Sequence, residues 1–344
     1  TVTTGSQNTA IGGGCLQNNT GSYNTAVGRD CLIANTTGQY NTGVGCNALN
    51  SLTTGNSHVA VGYLALEEST TNENCVAIGK DALRETTTGS YNVAVGQACL
   101  RDNTSGYNNT AVGNDALLKN TTGVNNVAVG WEAGDAITTG NYNTAIGNLS
   151  LSAVTTSDAN VAVGYEALKS NTALGNVAIG FQSMEANTTG SDCVAVGYNA
   201  LTANTTATNN TAVGFKALED NNSGVRNTAV GDRALQHCIV VSSGEARDNT
   251  AVGKDALNDC TTGYQNTAIG THAGDNMTVG YDNVYVGDNA GNTHATGDRC
   301  IYVGRASNCS GTAVDLEYVF GYSLAGKGTQ TFFAGGNTGA YNEA

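Results

Sequence analysis

About every seventeen residues along this chain, a short run of branched apolar residues alternates with alanine and stops at glycine. Thr25-Ala26-Val27-Gly28, Val76-Ala77-Ile78-Gly79 and Val161-Ala162-Val163-Gly164 are three instances. Period-two alternation predicts a β-strand with one branched face and one small face. Nineteen such glycines run from Gly12 to Gly321; fifteen of the eighteen steps are 17 residues, two are 16, and one, Gly231 to Gly253, is 22. After each glycine come two variable residues, then Ala, Ser or Cys, then usually Leu, as at Ala82-Leu83 and Ala256-Leu257. A polar stretch follows and often closes in Thr-Thr-Gly, as at Thr36 to Gly38, where glycine is expected to supply the positive φ of a tight turn.

A unit this short buries its apolar side only by stacking on its neighbours. The prediction is an all-β fold, a parallel β-solenoid of about 19 coils with a 17-residue repeat, rising about 4.8 Å per coil to a rod of roughly 85 to 90 Å. One strand lies at each Asn-Thr-Ala-Val-Gly segment, and the Ala-Leu segment is either a second strand or a single helical turn. The Asn before the strand, as at Asn24, Asn92, Asn143, Asn210 and Asn266, is expected to form a ladder in which each amide bonds the next. If Val and Leu fill the interior, the Ala row faces outward as a flat apolar strip suited to another copy of the chain, and a homotrimer is expected. The alternative is that Ala lines a narrow interior and the branched row faces outward or onto a neighbour.

The regular pattern covers residues 1–270. From 271 to 344 it changes: Gly274 and Gly291 replace Leu, Tyr285 and Tyr302 replace Ala, and the segment ends near Thr331-Phe332-Phe333. We read 271–344 as variant repeats leading toward another module. Neither end shows a capping sequence, and the chain starts in mid-repeat without Met, so it reads as an excerpt of a longer protein.

Composition alone would suggest disorder, with only 12% charged and 6% aromatic residues; the regular placement of the branched residues overrides that reading. Proline is absent, as suits a backbone whose N–H groups are needed in continuous ladders. A net charge of −14 argues against a nucleic-acid partner, and no apolar run is long enough for a membrane span in this segment.

Asn-Thr-Ala-Val-Gly, Ala-Leu and Asn-Thr-Thr-Gly at this spacing resemble the shaft repeats of bacteriophage tail-fibre proteins. More distantly they are similar to the β-roll repeats of trimeric autotransporter adhesins, whose units are shorter. The resemblance covers residues 1 to about 304 and implies a structural fibre shaft, on a virion or at a cell surface, that presents a receptor-binding tip. An adhesin whose own repeats bind glycan is the alternative, with a host-surface receptor or glycan as partner; an ice-binding or enzymatic solenoid ranks below both.

Candidate chemistry is sparse, and no catalytic, cofactor or metal residues are assigned. His58, His237, His272 and His294 have no zinc spacing, and Ser and Cys lack a convincing His partner, so an enzyme is not expected. Asp30, Asp81, Asp115 and Asp255 recur two residues after the strand glycine but match no calcium loop. Of ten cysteines, Cys238 and Cys260, each seven residues after a strand glycine beside the insertion, are the first disulfide candidates. Cys300 and Cys309 come next, while Cys75, Cys193 and Cys300 stand in for the pre-strand Asn. Asn35, Asn120 and Asn187 open Asn-X-Thr triplets open to glycosylation in a secretory pathway. Trp131, Tyr165, Phe181, Tyr198 and Phe215, each directly after a strand glycine, are candidate glycan contacts, weighed against a packing role.

Overall fold

The computed structural model describes residues 5–239, 246–336 and 339–343. The chain forms two compact units, Thr1–Leu174 and Gly175–Ala344. In the first, ten three-residue strands run from β1 (Thr9–Ile11) to β10 (Val161–Val163). In the second, nine more run from β11 (Val177–Ile179) to β19 (Tyr318–Phe320), followed by β20 (Phe332–Gly336) and β21 (Gly339–Glu343). Within each unit successive strands pair in parallel and in register, Ala60 on Ala77 and Ala195 on Ala212, so each unit is a parallel β-solenoid. Among the described residues there is no helix.

The orientation of the strand corrects the first of the two readings above. Ala26, Ala77 and Ala128 are fully buried, whereas Ile78 is 40% and Ile269 45% exposed. Ala therefore lines the interior, and the branched row faces out. The interior is narrow because Leu83, Leu117 and their counterparts, also fully buried, enter it from the opposite wall, and native packing density leaves only a methyl's width for the strand.

The Ala-Leu segment is neither strand nor helix. Its residues form a turn held to the next coil by backbone bonds, Leu83 N–H to Cys99 O at 3.1 Å and Glu85 N–H to Arg101 O at 3.0 Å. Leu83 itself is left-handed (φ 52°), as are Asp81 (57°) and Tyr91 (59°) in the same coil. Such a backbone costs roughly 1–2 kcal/mol at a non-glycine residue, and burying the leucine returns about as much. This rules out a helical turn.

Positive φ falls elsewhere than predicted for glycine. The strand glycine carries it, as at Gly28 (φ 136°), while Gly38 of Thr-Thr-Gly does not. Gly38 is required by close approach: a Cβ there would run into the carbonyl oxygen of Gly55 in the next coil.

Two irregular places keep the register. The residues at 240–245, in the long step after Gly231, lie outside the described residues, yet β14 (Thr228–Val230) and β15 (Thr250–Val252) pair in register. In the variant coils, Tyr285 and Tyr302 are fully buried and stack at 5.8 Å between centroids. A side chain at Gly291 would collide with the Tyr285 ring, so glycine at the Leu position makes the room that tyrosine at the Ala position fills. Beyond β19 the sheet adds β20 in parallel and then turns antiparallel, β20 pairing with β21.

Candidate functional site

The stacked coils convert each sequence position into a column. The pre-strand Asn column lies inside, and it bonds differently from the amide-to-amide ladder expected. Asn126 Oδ1 accepts the Asn143 N–H at 2.9 Å, and Asn126 Nδ2 donates to Gly140 O at 2.8 Å. Each amide thus joins two backbone groups of the next coil, and direct amide contacts such as Asn160 Nδ2 to Asn143 Oδ1 (3.2 Å) are additional.

His58 occupies this column and reproduces both bonds. Its Nδ1 accepts the Cys75 N–H at 3.3 Å and its Nε2 lies 2.8 Å from Asn72 O. A carbonyl only accepts, so the proton sits on Nε2. Cys75 and Cys193 keep the donor half, each S–H pointing to the carbonyl fourteen residues on at 3.4 Å. These are asparagine substitutes.

A second interior column lies seven residues after each strand glycine. Asn19, Asn35, Asn103, Asn120, Asn187 and Asn204 belong to it and are fully buried. Asn35, Asn120 and Asn187 are therefore inaccessible to glycosylation in the folded chain. Cys238 and Cys260 stand in the same column as buried free thiols, and burial pushes the Cys260 thiol up to about 12. Cys300 and Cys309 are also free and buried; Cys300 S–H points to Val314 O at 3.0 Å, and Cys309 Sγ lies 3.0 Å from Thr293 Oγ1.

His294 continues this column and joins a polar group that the sequence did not reveal. The Tyr285 hydroxyl donates to His294 Nδ1 at 2.8 Å, and His294 Nε2–H donates to Val314 O at 3.0 Å. Burial lowers the imidazole's pKa, opposed by that carbonyl. Beside it, buried Glu317 accepts from the Tyr302 hydroxyl (3.0 Å), Ser310 N–H (3.1 Å) and Gly328 N–H (2.8 Å). All its visible partners donate, which makes this a satisfied core cluster.

The remaining charged candidates pair locally. His237 meets Asp220 at 2.8 Å, His272 meets Asp275 at 3.0 Å, and Asp255 takes a two-point contact from Arg233 at 2.7 and 2.9 Å. Asp81 and Asp255 are mostly buried rather than set on an exposed face. Among the described residues no group of three His, Cys, Asp or Glu is arranged to hold a metal ion, and no helix is long and apolar enough to cross a membrane.

The column directly after the strand glycine is an outward row rich in aromatics, as is the one five residues before that glycine, where Tyr23 and Tyr40 stack at 4.9 Å. Trp131, Tyr165, Phe181, Tyr198 and Phe215 are all exposed, between 40% and 47%. In the second unit Phe181, Tyr198 and Phe215 stack face to face, with centroids 5.1 and 5.5 Å apart, so their faces are spent on one another and their edges meet solvent. In the first unit the column runs Asn114, Trp131, Asn148, Tyr165, and the Trp131 backbone N–H donates to Asn148 Oδ1 at 3.2 Å. Asn148 was missed; the readable signal is an amide midway between two aromatics spaced by two coils. No protein-family model and no curated protein matches this chain.

Proposed function

We propose that the chain is a structural fibre shaft, of a viral tail fibre or a cell-surface appendage, that assembles as a homotrimer through the outer face of its strands and holds a receptor-binding tip away from its base. The observation that carries this reading is the outward Thr/Val and Val/Ile pair of columns. Across β1 to β18 these two columns hold no charged residue, and Ile78, Val112, Val129 and Ile146 are each more than a third exposed.

A strip about 7 Å wide that rises about 4.8 Å per coil reaches roughly 300 Å² in ten coils, the size at which an exposed apolar patch marks an interaction site. Three copies around one axis satisfy such strips at once, with charges left on the outer corners. What supports the fibre role is uniformity: among the described residues most coils repeat the same interior bonds, as Asn126 and Asn143 do. A second reading, direct binding of glycan, draws on the aromatic column of the first unit.

Sedimentation equilibrium at micromolar concentration tests the assembly. A mass three times that of the chain is expected, falling to one when Val112 and Val129 are both changed to Glu. A wild-type monomer refutes the trimeric shaft.

A further inference from the structure

We infer that Trp131, Asn148 and Tyr165 form a slot that binds one pyranose unit of a glycan, a function separate from the shaft's assembly. The three residues occupy one column in consecutive coils of the first unit, each directly after its strand glycine. Their registers are fixed because β8 (Val127–Val129), β9 (Thr144–Ile146) and β10 pair residue for residue. Asparagine is too short to fill the space between the two large side chains. The result is a notch with aromatic walls and an amide floor.

Orientation follows from how the column behaves where it is all aromatic. Phe181 and Tyr198 lie within 7° of parallel, and Tyr198 and Phe215 within 20°. Neighbouring rings in this column therefore turn their faces to one another, and in that orientation Trp131 and Tyr165 present faces to the gap at Asn148. The floor is also oriented: Asn148 Oδ1 is held by the Trp131 N–H, which turns the two Nδ2 protons toward the opening as donors for a hydroxyl or ring oxygen.

Chemistry selects the guest. A pyranose chair carries axial C–H bonds on both faces, which suit the aromatic walls, and hydroxyls, which suit the amide donors of the floor. A nucleobase has π faces for the walls but fewer groups for the floor, and the titration separates the two.

Trp131 is the sole tryptophan of the chain, so its emission reports this slot directly. The intact chain is titrated with hexasaccharides of glucose, mannose, galactose and N-acetylglucosamine, and with adenosine monophosphate. A saturable change with at least one sugar and none with the nucleotide is expected. Asn148→Asp keeps the oxygen that caps Trp131 N–H but loses the donors, and is expected to weaken binding more than tenfold, as is Tyr165→Ala. Tyr63→Ala, in the same column between Cys46 and Lys80, leaves it unchanged. No saturable change with any sugar up to about 10 mM, a free energy near 3 kcal/mol, overturns the slot. So does a response to the nucleotide, or sugar binding that survives both Asn148→Asp and Tyr165→Ala. None of these outcomes touches the oligomeric state, which sedimentation reads independently.

Discussion

Replacing the amide of Asn126 tests the interior bonding of the solenoid most directly, because the side chain is fully buried and both its bonds are defined. Asn126→Leu preserves the approximate volume and removes the acceptor for Asn143 N–H and the donor for Gly140 O. Each orphaned buried group costs about 1–3 kcal/mol, so the change is expected to cost about 2–6 kcal/mol. The chain carries its own controls. His58 makes both bonds, so Asn126→His is expected to cost less than about 1.5 kcal/mol, near that of a tolerated core exchange. Cysteine in this column keeps the donor but offers the next N–H only a weak sulfur acceptor, as Cys300 Sγ does to Glu317 N–H at 3.4 Å, so Asn126→Cys falls between, at about 1–3 kcal/mol.

Long repeat arrays need not unfold in one step, so the assay should be local. Native-state hydrogen exchange at the Asn143 amide, supported by the thermal midpoint, reads the order His, Cys, Leu. For 150–250 residues, about 2–4 °C are lost per kcal/mol. Asn126→Leu at or above wild-type stability, or a His variant worse than Leu, would refute the account of the column as a two-bond bridge to backbone.

Three further outcomes follow. Lowering pH should destabilise both units through His58 and His294, whose folded pKa values lie below the ordinary 6.5 chiefly because of burial: stability is whole above about pH 6.5 and is lost as pH falls from there through the lowered values. Urea midpoints between pH 8 and 5 check this, and His58→Asn should flatten the slope. Tyr285→Ala should cost about 3–5 kcal/mol by opening a cavity, and adding Gly291→Leu should recover part of it; no recovery in chemical denaturation would sink the exchange of bulk between the two positions. Of ten thiols only Cys46 is partly exposed, so an alkylating reagent should label one cysteine in the native chain and ten after denaturation, with mass spectrometry counting adducts.

How legible this fold was depended on which physical rule each feature obeys. Strand position and register were legible because parallel stacking places residues a constant interval apart in one column, and fifteen steps of 17 leave one solution. Which face points inward was not, because the habit of placing the larger apolar residue inside assumes a core wide enough for it. Here Leu83 fills the interior from the opposite wall, Ala77 is all the strand side admits, and Ile78 is left outside. Thr-Thr-Gly misled for a related reason: Gly38 looked like a turn residue, but the next coil's carbonyl, invisible in a single repeat, is what excludes a side chain. The aromatic candidates were found individually, while the stacking that separates Phe181, Tyr198 and Phe215 from Trp131 needed the column.

The interior and exterior columns obey different constraints, and the difference bears on function. Inside, several changes are answered by others: Gly291 makes room for Tyr285, and Cys75 and His58 keep bonds that asparagine made. Such compensation maintains one backbone path whatever residue occupies a coil. Outside, the position after the strand glycine runs freely from Arg29 through Cys46, Tyr63 and Lys80 to Trp131. A scaffold with a fixed backbone and an unconstrained outer column can vary its surface coil by coil at little cost to stability, since exposed substitutions usually change stability by less than about 0.5 kcal/mol. The two proposed roles draw on different columns: stiffness on the interior ladders, and recognition on Trp131, Asn148 and Tyr165 in the outer column. The branched strand face is the exception among outer columns, uncharged from β1 to β18 where its neighbours vary, and that restriction is what contact with another copy of the chain would impose.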